Sequence, residues 1–168
     1  MNTLWSYFWP CLAAGILAGG IGGLYGFRRK QKLPLVVGVL VALAAAAAWH
    51  GPLGAADRLA ATVERESREA LDNYEMPRVT AHLHHGPLTR RLILAKPADL
   101  PLNGFQTAEL ARLFSQVPGV SGATWSENDA GIPLIAEATI AAIIGFLLGL
   151  LLAYLLELRR RYNAQWTW

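Results

Sequence analysis

Three histidines in four positions, His82, His84 and His85, form the densest cluster of metal-binding side chains in the chain. On a strand, His82 and His84 would share one face, a spacing that could chelate zinc or copper. A closed site needs further ligands, and neither a cysteine nor a well-spaced acid stands close by. Polar positions on an exposed hairpin account for the cluster, and no metal is expected. Cys11 is the one cysteine, which excludes an intrachain disulfide and any multi-cysteine metal or iron–sulfur centre. Ser67 and Ser115 have no histidine placed to activate them, and Gly15–Gly26 lacks the Lys-Ser/Thr that completes a phosphate loop. No catalytic residues are expected, and the chain reads as a non-enzyme.

His50 follows Trp49 at the end of an apolar run. An imidazole there could ligate a haem iron or a pigment magnesium in a neighbouring subunit, making His50 the one cofactor candidate. A boundary histidine capping its helix is the simpler reading, so no resident cofactor is expected. Glu137 lies near the start of another apolar run, where the helix dipole favours a carboxylate. With no second acid deep in any run, a proton or ion path is not expected.

Small residues carry a stronger pattern. Gly15, Gly19 and Gly23 recur every four positions, as do Ala14, Ala18, Gly22 and Gly26. Ala141, Gly145 and Gly149 repeat the spacing near the other end of the chain. In lipid, helices attract mainly through close packing, which small side chains permit. One stripe suffices for packing within the chain, so the second is expected to receive a partner helix.

The elements that carry these residues are set by hydropathy. The 168 residues are 54% hydrophobic and 16% charged, against about 25% charged in ordinary soluble domains. Mean hydropathy is +0.30. Long apolar runs cover Leu4–Phe27, interrupted only by the uncharged Ser6, Pro10 and Cys11, Leu33–Trp49, and Ile132–Leu156. A hydrocarbon core about 30 Å thick requires about 20 helical residues, so three transmembrane helices are expected, the second of them short. No Lys or Arg precedes Arg28, which argues for a retained first helix and against a cleaved signal peptide.

Arg28, Arg29, Lys30 and Lys32 join the first two runs with no acid among them, and Arg159, Arg160 and Arg161 follow the third. Both clusters belong on the cytoplasmic side. The expected division is helix 1 over 1–27 with its N-terminus outside, a cytoplasmic loop at 28–32, and helix 2 over 33–50. A periplasmic domain at 51–131, helix 3 over 132–157 and a cytoplasmic tail at 158–168 complete it. Trp5, Trp9, Trp49, Trp166 and Trp168 fall near the proposed boundaries, where amphipathic rings anchor. The pI of about 9.3 follows from this topology, because the middle segment holds eight basic residues against ten acids. Nothing in it resembles a basic nucleic-acid-reading face.

Within the middle segment, apolar residues at helical spacing from Ala55 to Tyr74 predict an amphipathic helix, with Glu64/Arg68 and Arg65/Glu69 set for pairing. Val79–His84 alternates like a half-buried strand, His85-Gly86-Pro87 turns the chain, and Leu88–Ala95 returns. Asn103 and Gln106 predict a capping box for a second helix running through Val117. Pro118-Gly119 ends it, and Val120–Ser126 predicts a third strand. The fold class is therefore a membrane protein with a small helix–hairpin–helix–strand α/β domain between its second and third spans.

That order, with the string from Glu109 to Val120 leading into a strand, resembles BON domains, small modules of bacterial envelope proteins. The resemblance covers about Ala55–Ser126 and departs at the first hairpin, where His84-His85-Gly86-Pro87 replaces the family's short glycine turn. It implies binding to membranes or envelope components and no catalytic residues. The function expected is an accessory, assembly or stabilising subunit of a bacterial inner-membrane complex in a respiratory or photosynthetic setting. Its partners would be other membrane subunits and lipids, and not nucleic acid. The alternative is a free-standing envelope protein whose BON-like domain binds lipid or cell wall.

Overall fold

The computed structural model describes residues 3–129 and 131–165. Trp166 and Trp168 lie outside them. The chain divides into two compact units, one of Phe8–Leu53 with Glu137–Trp168, the other of Met1–Tyr7 with Gly54–Ala136. Among the described residues there are five helices and a three-stranded sheet. Three helices are long and apolar enough to cross a membrane.

The helical unit is built on α1 (Thr3–Arg29), α2 (Leu33–His50) and α5 (Leu134–Gln165). Helix α1 ends in a tight reversal in which Lys30 adopts φ 52° and the Gln31 N–H reaches back to the Gly26 carbonyl at 3.1 Å. This left-handed closure satisfies a terminal carbonyl and turns the chain within three residues. Pro34, in the first turn of α2, starts the next helix without sacrificing a hydrogen bond. The 32 residues of α5 span about 48 Å at 1.5 Å per residue, well beyond a hydrocarbon core. No glycine or proline interrupts Glu157–Gln165, so the helix continues past the apolar run into its arginines.

The α/β unit contains α3 (Ala55–Asn73), β1 (Thr80–His85), β2 (Leu88–Ala95), α4 (Gly104–Phe114) and β3 (Gly122–Thr124). Sheet order is β1-β2-β3, with β1 and β2 antiparallel and β2 and β3 parallel. The predicted order of elements is the observed one. Strand β3 is shorter than its predicted span, and α4 ends three residues before Val117. The predicted capping box forms: Asn103 Oδ1 accepts the Gln106 N–H at 2.8 Å, and Gln106 Oε1 accepts the Asn103 N–H at 3.0 Å.

The core of this unit gathers Leu59, Val63 and Leu71 of α3, Leu83 of β1, Leu92 and Leu94 of β2, and Phe114 of α4, all buried. A type II turn follows α4, with the Val120 N–H on the Val117 carbonyl at 3.1 Å and Gly119 at φ 100°.

Candidate functional site

The glycine stripes lie inside the helical unit. A Cβ on Gly15 would overlap the Ala142 carbonyl oxygen, and one on Gly19 the Phe146 carbonyl oxygen. Reciprocally, a Cβ on Gly145 or Gly149 would overlap the carbonyl oxygens of Leu12 or Ile16. At Gly23 it would stand 2.7 Å from the Ala153 Cβ. Contacts therefore advance together along α1 and α5, and the two helices run parallel with backbone against backbone. The other stripe of α1 meets α2: a Cβ on Gly22 would lie 2.8 Å from the Pro34 carbonyl oxygen, and one on Gly26 3.1 Å from the Leu35 side chain. Both stripes are thus occupied by the chain's own helices. The expectation that one remains open to a partner is corrected: α1 packs closely on both α2 and α5 and needs a small-residue face for each.

The parallel run brings the two basic clusters to one end of the unit. Glu157 is the acid of that end, and its side chain is only 5% exposed. Arg160 holds it with two hydrogen bonds, Nε at 3.0 Å and Nη2 at 2.9 Å, while Arg161 Nε approaches at 3.1 Å. Arg28 reaches it from α1 at 3.9 Å. The carboxylate is well supplied with donors, and it ties the end of α1 to α5. Phe27 and Tyr154 pack edge to face beside it, with centroids 5.9 Å apart. Arg29, Lys30, Lys32 and Arg159 remain exposed at this end.

The aromatic and histidine candidates lie at the start of α1 and the end of α2. Trp5 and Trp9 are about half exposed on the first turns of α1, and Trp49 and His50 are half-buried at the end of α2. Cys11 is buried in α1. Glu137 lies in the first turn of α5.

In the α/β unit, the histidines of β1 face different tasks. His84 Nδ1 lies 3.0 Å from the Pro87 carbonyl, and His85 Nε2 lies 3.2 Å from Glu64 Oε1 on α3. The same carboxylate oxygen accepts the Leu83 N–H at 3.0 Å. Arg68, one turn on, donates to the carbonyls of Val79 and Pro77, each at 3.3 Å, and pairs with Asp72 at 3.2 Å. The expected Glu64–Arg68 pair is replaced by these contacts. Strand β1 is a sheet edge whose main-chain groups need covering; Glu64 of α3 takes its Leu83 N–H, and Arg68 holds the carbonyls of the segment leading into it. Among the described residues, no three His, Cys, Asp or Glu side chains stand together as a metal site.

Two features escaped the reading of the sequence. Arg91 on β2 pairs with Asp129 at 2.7 Å, its side chain passing so close over Gly122 that a Cβ there would overlap it. Phe105, at the start of α4, is 79% exposed, the most exposed large apolar side chain of the α/β unit. A single aromatic in a polar stretch gives no periodic signal, so its exposure was not legible. No family model, curated protein or solved structure matches the chain.

Proposed function

We propose that the chain is a non-enzymatic accessory subunit of a bacterial inner-membrane complex, with α1, α2 and α5 as its anchor and the α/β unit as its docking module. The observation that carries this reading is the closure of the helical unit upon itself. Its small-residue faces are taken up internally, and the outward faces of α2 and α5 are aliphatic, with Val36, Leu40, Ile144, Leu148 and Leu151 exposed. Such faces suit lipid and leave recognition to the α/β unit. The arginine-rich ends, gathered at one end of the helices, would lie in the cytosol, and 51–131 in the periplasm. Phe105 supplies the kind of exposed aromatic anchor that dominates interface energies.

A second reading is favoured by the same closure. A bundle that needs no partner helix would also serve a free-standing envelope protein whose α/β unit binds lipid or cell wall, as the likeness to BON domains suggests.

Extraction in mild detergent, followed by size analysis and mass spectrometry, separates the two. The subunit reading expects co-purification with a large assembly at fixed stoichiometry. It expects Phe105→Ala to lower that recovery about tenfold or more, the effect of losing an interface hot spot, with folding intact. Recovery of a small monodisperse protein overturns it in favour of the free-standing form.

A further inference from the structure

Helices α1 and α2 meet along a line of small residues and leave an open groove of about 290 Å³ between them. Its floor is Ala18, Gly22 and Gly38, where the backbones approach closely, and its walls are Ile21 of α1 with Val37 and Val41 of α2. From Ala18 to Arg29 the groove follows α1 for roughly 16 Å, at 1.5 Å per residue. One end is different in kind. There the walls become Tyr25, Arg29 and Gln31, and the Arg29 guanidinium lies 5.9 Å from the Tyr25 ring centroid. No carboxylate pairs with Arg29 among the described residues, because Glu157 is already held by Arg160, Arg161 and Arg28. Lys30 and Lys32 add charge of the same sign beside it.

We propose that this groove is a binding site for an anionic phospholipid, with the phosphate on Arg29 and Gln31 and one acyl chain along Ala18–Val41. The proposal rests on the membrane-spanning reading of the three helices. Charge and shape select the occupant together. A partner helix in the groove would have to supply an acid to meet Arg29, whereas a phospholipid brings an anionic head and an apolar tail in one molecule. A phosphate offers several acceptor oxygens to the planar guanidinium, a geometry that a zwitterionic head occupies less favourably because its own ammonium is repelled by Lys30 and Lys32. The glycines matter because a Cβ at Gly22 or Gly38 would press on the Pro34 or Ala18 carbonyl oxygen and disturb the α1–α2 contact that shapes the groove.

The test uses the full chain, reconstituted in vesicles of equal phosphatidylglycerol and phosphatidylcholine. It is then extracted in mild detergent, and retained lipid is counted by native mass spectrometry. The wild type is expected to keep phosphatidylglycerol in preference to phosphatidylcholine. Arg29→Gln should lower its retention about tenfold, the scale of one charge-assisted contact. Val37→Trp, which fills the groove without changing charge, should lower it as well. Arg159→Gln removes an equal charge at the same end of the unit but outside the groove, and should leave retention unchanged.

Equal losses in Arg29→Gln and Arg159→Gln would show a diffuse electrostatic surface and overturn the site. So would absence of lipid preference, or a bound polypeptide in place of lipid. Alkaline carbonate washing of the same vesicles reports the spanning reading separately. Chain released by the wash overturns that reading and the site together, whereas chain that stays embedded without phosphatidylglycerol overturns the site alone.

Discussion

Two of the left-handed residues in the α/β unit, Gly119 and Glu75, carry opposite chemistry. Gly119 occupies φ 100° in the turn after α4, and a Cβ there would stand 2.7 Å from Val63 Cγ2 in the core. Gly119→Ala therefore meets backbone strain and a steric clash at once, and should destabilise the fold by about 2–3 kcal/mol. Glu75 occupies φ 57° after α3, where the Met76 N–H bonds the Leu71 carbonyl at 2.9 Å and the Glu75 N–H bonds the Asp72 carbonyl at 3.0 Å. That is the helix-ending motif in which glycine is favoured, here built with a side chain that must tolerate it. Glu75→Gly relieves about 1–2 kcal/mol of left-handed strain. It gives back about 0.4–1 kcal/mol through the freer unfolded chain. A net gain of about 0.5–1 kcal/mol is expected. Thermal unfolding of the full chain in detergent should show the Gly119 variant melting lower and the Glu75 variant melting a few degrees higher. Equal midpoints for all three proteins would refute the strain account.

At the scale of elements, the α1–α5 pair makes a comparable distinction between adjacent glycines. Gly19 has the Phe146 backbone where a Cβ would go, while at Gly20 the nearest atom, the Gly149 carbonyl oxygen, is 3.9 Å away. Gly19→Ala should force the helices apart and cost about 1–3 kcal/mol. Gly20→Ala should be neutral or stabilising by up to about 1 kcal/mol, since alanine is the better helix former. Loss of both variants' stability in the same melting assay would show that the two positions are not distinguished by packing. The stripe spacing that places these glycines was legible, as were the three apolar runs, the order of the α/β elements and the Asn103 capping box. Each of these is written within one turn or one short run of sequence. What was not legible depends on distant partners: which neighbour takes each stripe of α1, where Glu64 sends its carboxylate, and that Arg91 runs over Gly122. Helix α5 runs on beyond the span expected from hydropathy for a related reason. Hydropathy falls at Glu157, but a helix ends where its hydrogen bonding fails, and arginine is a good helix former.

For the whole molecule, the direction of the chain in the membrane decides what the proposed docking module could reach. Helices α1 and α5 run parallel, so the cations after each collect at one end, and Arg28 and Arg160 share Glu157 there. Moving that many arginines and lysines across a bilayer is far costlier than moving Met1–Pro10, which carries no charged side chain. On the proposed topology the segment after α2 would be delivered to the opposite side. Ala108, exposed on α4, offers a reporter there, and the native thiol of Cys11 can be removed by Cys11→Ser. In that background, Ala108→Cys should react with an impermeant maleimide in intact spheroplasts as fully as after lysis. Protection that disappears only on lysis would place the α/β unit in the cytosol. The arginine ends would then face the periplasm, against the charge rule, and the periplasmic docking role would have to be abandoned.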